Sequence, residues 1–172
     1  MKPFDSAALR ARAAINSRVQ TRRLLQGRQT VTLLQGARVE TATGPCPVET
    51  LEAGDQLVTR TGGLAEIVAV RSRKAMIQTV RVSGHASANG SSQVVPWDQR
   101  ILVRDRLAQV MFGQPQAVVP AYELVDGVTV CDLGMQMANL VILEFARPHV
   151  IYANGLELAA AAVPEESLRP AA

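Results

Sequence analysis

The sequence predicts an all-β domain of many short strands, preceded by one α-helix. Three observations carry that prediction. From about Thr30 onward, short β-branched runs alternate with Gly, Pro, Asn and Asp turn signals. Apolar spacing of three and four, the mark of a helix, is confined to the segment before Gly27. The 172-residue chain is 48% hydrophobic but only 3% aromatic, so its core must be built from Val, Leu, Ile and Ala. That length fits one domain.

Taken in order, Asp5 or Ser6 caps a helix within residues 5–26, with Ala8, Ala11, Ile15 and Val19 as its apolar stripe and Gly27 as its stop. The expected organisation is a basic helical extension over residues 1–29, a β domain over 30–160 and a C-terminal tail over 161–172. The β body begins with Thr30 to Leu34, which ends at Gln35-Gly36. Strands follow at Ala37 to Thr41, Gln56 to Thr59, Leu64 to Val70 and Thr79 to Val82. Gly84 to Ser92 reads as a loop, being rich in Gly, Ser, Asn and Ala. Further strands are expected at Arg100 to Val103, Ala117 to Val119, Tyr122 to Leu124, Val128 to Val130, Leu140 to Phe145 and Val150 to Tyr152. Asn154-Gly155 is a hairpin-turn dipeptide. No helical period interrupts the body, which argues against an α/β fold.

Charge is divided unevenly. Residues 1–28 carry seven basic side chains against Asp5 alone, whereas the rest carries eleven basic and fourteen acidic ones. The body shows no basic stripe, so no nucleic-acid partner is expected. The basic helix reads as a packing element or as an arm for a protein partner, with oligomerisation open. Its arginines run throughout and it lacks an apolar core, so it is no secretory signal and a cytoplasmic location is expected. No transmembrane stretch occurs, since the apolar run Leu156 to Val163 is far too short. Cys46 and Cys131 either pair or remain as buried thiols. His85 and His149 have no metal-ligand spacing, and no phosphate loop, dinucleotide fingerprint or Cys-x-x-Cys is present, so neither metal nor cofactor is expected.

Several segments, read together, point further. Gly36-Ala37-Arg38-Val39 gives a Gly leading into a strand. Pro47-Val48-Glu49-Thr50-Leu51-Glu52-Ala53-Gly54-Asp55 feeds the strand Gln56 to Thr59. Val95-Pro96-Trp97-Asp98-Gln99-Arg100 precedes another strand, and Val119-Pro120-Ala121-Tyr122-Glu123-Leu124-Val125-Asp126-Gly127 follows. Leu140 to Phe145 and His149 to Glu157 close the series. In this collinear order the chain resembles the bacterial Hedgehog/intein (Hint) family over about residues 30–160. The Gly54-Asp55 block is the most specific part of the match.

The resemblance implies a domain that attacks the peptide bond before its first residue with a Cys or hydroxyl side chain, assisted by a Thr-x-x-His segment. Here the nucleophile position falls on Thr32, an internal residue and a weaker nucleophile than Cys. The histidine position falls on Gln99, which cannot shuttle a proton, and the Thr position on Pro96, which has neither hydroxyl nor N–H. Asp98 is the one acid left in the motif and reads first as a turn or loop carboxylate capping backbone amides. His149 either faces the same pocket or is structural. Trp97, the only Trp, is expected to fill the former site. No His-Asn followed by a second nucleophile ends the chain, so splicing has no support. The presumed degenerate pocket therefore comprises Thr32, Asp98, Gln99 and His149. The leading expectation is a non-catalytic Hint-like interaction or structural module. The alternatives are a weak autoprotease cutting before Thr32 by N–O acyl shift, and a subunit of a bacterial assembly joined through the N-terminal helix. Thr32 and Gln99 are expected to approach each other although 67 residues apart.

Overall fold

The computed structural model describes residues 28–84 and 90–162. The helix expected within 5–26 and the tail beyond 162 lie outside the described residues. The body is β, arranged as two curled sheets. Strand β1 (Gln29–Leu34) is followed by β2 (Arg38–Thr41), β3 (Gly44–Pro47), a 3-10 turn (Val48–Thr50), β4 (Gln56–Val58) and β5 (Leu64–Glu66). Then come β6 (Ala69–Gly84), β7 (Gly90–Pro96), β8 (Arg100–Arg104), helix α1 (Asp105–Phe112) and β9 (Gln116–Pro120). A second 3-10 turn (Ala121–Leu124) leads to β10 (Val130–Phe145), β11 (Val150–Ala153), β12 (Leu156–Ala159) and β13 (Ala161–Ala162). One sheet runs β13-β1-β10-β6-β7. The other runs β5-β4-β2-β11-β12-β8-β9, with β3 on β2.

Strict alternation explains β1. Val31 and Leu33 are fully buried, while Thr30 and Thr32 on the opposite face are half-buried. Each fully buried aliphatic side chain contributes about 2 kcal/mol. Val39, Leu57, Ile101, Leu143, Ile151 and Leu158 continue the same core, with Phe145 as its largest member. It is an aliphatic core, as the composition requires.

The motif residues that carried the resemblance hold turns. Glu49 Oε2 accepts the Gly36 N–H at 3.1 Å, and its own backbone N–H together with that of Gly36 holds the carboxyl below its usual range. Gly54 stands at φ +97, open to glycine alone at low cost, and Asp55 Oδ2 accepts the Glu52 N–H at 2.8 Å. Asp126 accepts the amides of Val128, Thr129 and Val130, each at 2.8 Å. With the Thr129 hydroxyl as the strongest contributor, these bonds hold its carboxyl well below the usual carboxylate range. Asn154 and Gly155 both have positive φ, as a two-residue hairpin turn between β11 and β12 requires.

Several expectations need correction. Leu64 to Val70 is not one strand, and Thr79 to Val82 is not a short one: both border or join the 16-residue β6. Val128 to Val130 and Leu140 to Phe145 are likewise linked by the 16-residue β10. The polar stretches between them stay extended because the two strands pair with each other from Ala69 to Val82. Tyr122 to Leu124 is a 3-10 turn, and β7 takes up Gly90 to Ser92 of the expected loop. Helix α1 interrupts the body. Its signal, Leu107, Ala108, Met111 and Phe112 on one side, spans only two turns, and Gly113 at φ +67 ends it. No described helix is long and apolar enough to cross a membrane.

Candidate functional site

The site forms where β1 loses its outer neighbour. Strand β13 pairs with β1 only at Gln29 and Thr30. The next residue turned the same way is Thr32, and a side chain takes the missing strand's place. Gln99 Oε1 accepts the Thr32 backbone N–H at 3.0 Å. In an antiparallel strand, alternate residues turn their backbone groups to opposite sides. Thr32 therefore faces this margin, and Val31 and Leu33 face β10. The Gln35 N–H, bonded to the Asn139 carbonyl at 2.9 Å, keeps the same phase.

Gln99 is 6% exposed and fully engaged. Its Nε2 donates to the carbonyls of Arg100 at 2.9 Å and Ala159 at 3.3 Å. Its own N–H donates to the Pro96 carbonyl, and its carbonyl accepts the Ala121 N–H. One amide side chain thus joins β1, the start of β8 and the end of β12. Because both Nε2 hydrogens go to carbonyls, the network sets which amide atom faces Thr32. Pro96, without an N–H, contributes a carbonyl to the turn and closes the β7 ladder opposite Thr79.

Neither Asp98 nor His149 makes a side-chain hydrogen bond to this contact among the described residues, although the His149 carbonyl accepts the Ala160 N–H at 2.8 Å, one residue beyond Ala159. Asp98 is exposed, and among the described residues nothing bonds its carboxylate. The His149 ring stands edge-on to Phe145 at 5.9 Å. Burial, with Arg147 adding to it, holds the imidazole below its usual range. Among the described residues no carboxylate or imidazole bonds the Thr32 hydroxyl. Trp97 stacks on Tyr122, centroids 5.4 Å apart, and Tyr122 donates its N–H to the Trp97 carbonyl. Cys46 and Cys131 are free thiols. No group of three His, Cys, Asp or Glu among the described residues is disposed to hold a metal ion.

Two features escaped sequence reasoning. Ala159 and Ala161 frame the site through backbone alone, so no side-chain signal marks them. Two buried carboxylates are each clamped by two arginines. Glu144 bonds Arg28 at 3.2 Å and Arg71 at 2.8 Å, and Glu157 bonds Arg60 at 2.9 Å and Arg104 at 2.8 Å. Their partners lie up to 116 residues away, and no local pattern announces them.

A family model described as a Hint domain matches residues 31–164. Among solved structures, the Msm DnaB1 intein splicing domain bound with zinc is similar with a TM-score of 0.51 and 12% identity, covering 73% of this chain and 98% of that one. The DnaX mini intein from Spirulina platensis also gives a TM-score of 0.51 at 12% identity, covering 74% and 98%. No curated protein matches.

Proposed function

The chain belongs to the Hint domain family, and from that premise we propose that it is a non-catalytic member, kept as an interaction or structural module. The observation that carries this reading is the bond from Thr32 N–H to Gln99 Oε1. Cleavage before Thr32 by N–O acyl shift would require the Thr32 hydroxyl to attack the Val31 carbonyl carbon. The Thr32 nitrogen would then leave and take up a proton. That nitrogen faces an acceptor, and the donor hydrogens of the same amide are spent on Arg100 and Ala159. A neutral carboxamide has no proton to transfer. General acid–base assistance is worth about a hundred- to ten-thousand-fold in rate, so its loss alone leaves the Val31–Thr32 bond long-lived. Among the described residues neither Asp98 nor His149 bonds that nitrogen to replace the lost acid. Gln99 instead does what a paired strand would do, extending the β1 ladder by one residue.

Intact mass over prolonged incubation, with and without hydroxylamine, tests the reading. A single species of full mass is expected. A fragment beginning at Thr32 that grows with time and disappears in Thr32→Ala overturns it. The triple variant Thr32→Cys, Pro96→Thr, Gln99→His asks the converse, and hydroxylamine-sensitive cleavage confined to that variant supports loss of chemistry on a retained fold.

A further inference from the structure

Strand β6 pairs with β10 along its length, but β7 covers only its second half, from Thr79 to Gly84. The first half has no strand on its outer side among the described residues. The phase fixed at Thr32 and Gln35 turns Val141 and Leu143 of β10 toward β1, and hence Leu140 and Ile142 toward β6. Their β6 partners are Arg73 and Arg71. Val70, Ser72, Lys74 and Met76 therefore present their N–H and C=O groups outward, over about 20 Å of extended backbone. Gln78 has the same outward phase, and its carbonyl is met by the Trp97 N–H at 2.9 Å, which is where the open stretch ends.

The side chains on this edge are all of one sign. Residues Ala69–Gly84 contain no acid, and Arg71, Arg73 and Lys74 are exposed. Arg71 is paired with Glu144, while Arg73 and Lys74 have no ion pair among the described residues. A cleft of about 470 Å³ opens beside them, lined by Ser72, Arg73, Lys74 and Asn139 together with Glu49, whose carboxylate accepts the Gly36 N–H. Next to Lys74 the ribbon becomes apolar: Met76 and Met137 lie directly opposite each other, Met135 follows two residues along, and each is more than half exposed. Methionine suits a surface that must adapt to its ligand.

We propose that the Val70–Met76 edge is a docking strand for an extended acidic peptide of a partner protein. The partner would add as a further strand, with carboxylates opposite Arg73 and Lys74 and an apolar side chain against Met76 and Met137. Backbone bonding supplies affinity in this mode, and alternate side chains supply selection. A second copy of this chain is a poor occupant, because edge-to-edge pairing sets like charges about 5 Å apart. The proposal gives the interaction reading a surface, and it is separable from that reading's chemical half. Peptide binding can fail while the chain stays intact, and self-cleavage can occur while the edge still binds.

The probe is a fluorescent eight-residue peptide of valine and threonine around a central Asp-Glu pair, whose adjacent acids reach both faces of the strand, titrated with the full chain and followed by anisotropy. Saturable binding that weakens with salt is expected, with at least a tenfold loss in Arg73→Glu/Lys74→Glu. Ser72→Pro removes one outward N–H and leaves the β10 ladder intact, so it should lower affinity with the melting temperature unchanged. A peptide with lysine in place of the acids should not bind. Absence of binding at millimolar peptide overturns the proposal, as does equal binding of the lysine peptide. Binding that is indifferent to Ser72→Pro, or matched by a charge-equivalent oligonucleotide, shows a merely electrostatic surface and overturns strand addition.

Discussion

At one margin of the five-stranded sheet the Thr32 amide is met by Gln99 Oε1 at 3.0 Å; at the other, Val70, Ser72, Lys74 and Met76 turn their amides outward with no strand opposite among the described residues. Both are interruptions of a β ladder. They differ in surroundings. Gln99 and Ala159 are buried, so an unmet backbone group there costs about 1–3 kcal/mol and a side chain must stand in for a strand. Ser72 and Lys74 are exposed, so water meets the amides and charge keeps identical strands away. An edge is closed where the core demands it and left open where solvent serves.

The strongest way to break this contrast is to damage each edge in turn. Gln99→Leu keeps the volume but strands the Thr32 amide and the Ala159 carbonyl, and should cost about 3 kcal/mol in urea unfolding. Ser72→Pro at the open edge should stay within about 0.5 kcal/mol. Equal costs would mean that the β6 edge is not free. The arginine-clamped carboxylates offer the next comparison. The partners of Glu157 are 28% and 43% exposed, and those of Glu144 are 57% and 48% exposed. Glu157→Gln should therefore cost about 3 kcal/mol, and Glu144→Gln about half that, because solvent screens the wetter pair. The reverse order would show that tying β6 to β10 matters more than burial.

A smaller effect is expected at Gln93, a buried side chain on β7 whose amide has no partner among the described residues. Gln93→Leu should raise stability by about 1 kcal/mol, the opposite sign to Gln99→Leu, so that two buried glutamines separate by whether their bonds are made. The smallest effect is His149. Its folded-state affinity for protons is lowered by burial and by Arg147, so the unfolded chain binds protons first. Its contribution is fully present above about pH 6.5 and is lost as pH falls below that value. His149→Gln should flatten this part of the stability–pH profile, and an unchanged slope would assign it elsewhere.

The sequence determined a great deal of the fold, because turns are local. Gly54, Asp55, Asp126 and Asn154-Gly155 act within a few residues of themselves, and their φ requirements and carboxylate–amide bonds are written in neighbouring positions. The resemblance to the Hint family also marked Thr32 and Gln99 as one site, and the hydrogen bond between them bears that out. The sequence missed helix α1, where two turns give too short a period, and it broke β6 and β10 into pieces, because a polar ribbon held by its partner carries no alternation of its own. Net charge averaged over the body concealed the basic edge at Arg71, Arg73 and Lys74. Only the tertiary structure decided which atom of Gln99 faces the Thr32 nitrogen, that Asp98 stands outside the contact, and that the β6 edge lies open. Each depends on groups brought together across dozens of residues by pairing and burial, and hydrogen-bond direction is set by all the partners at once.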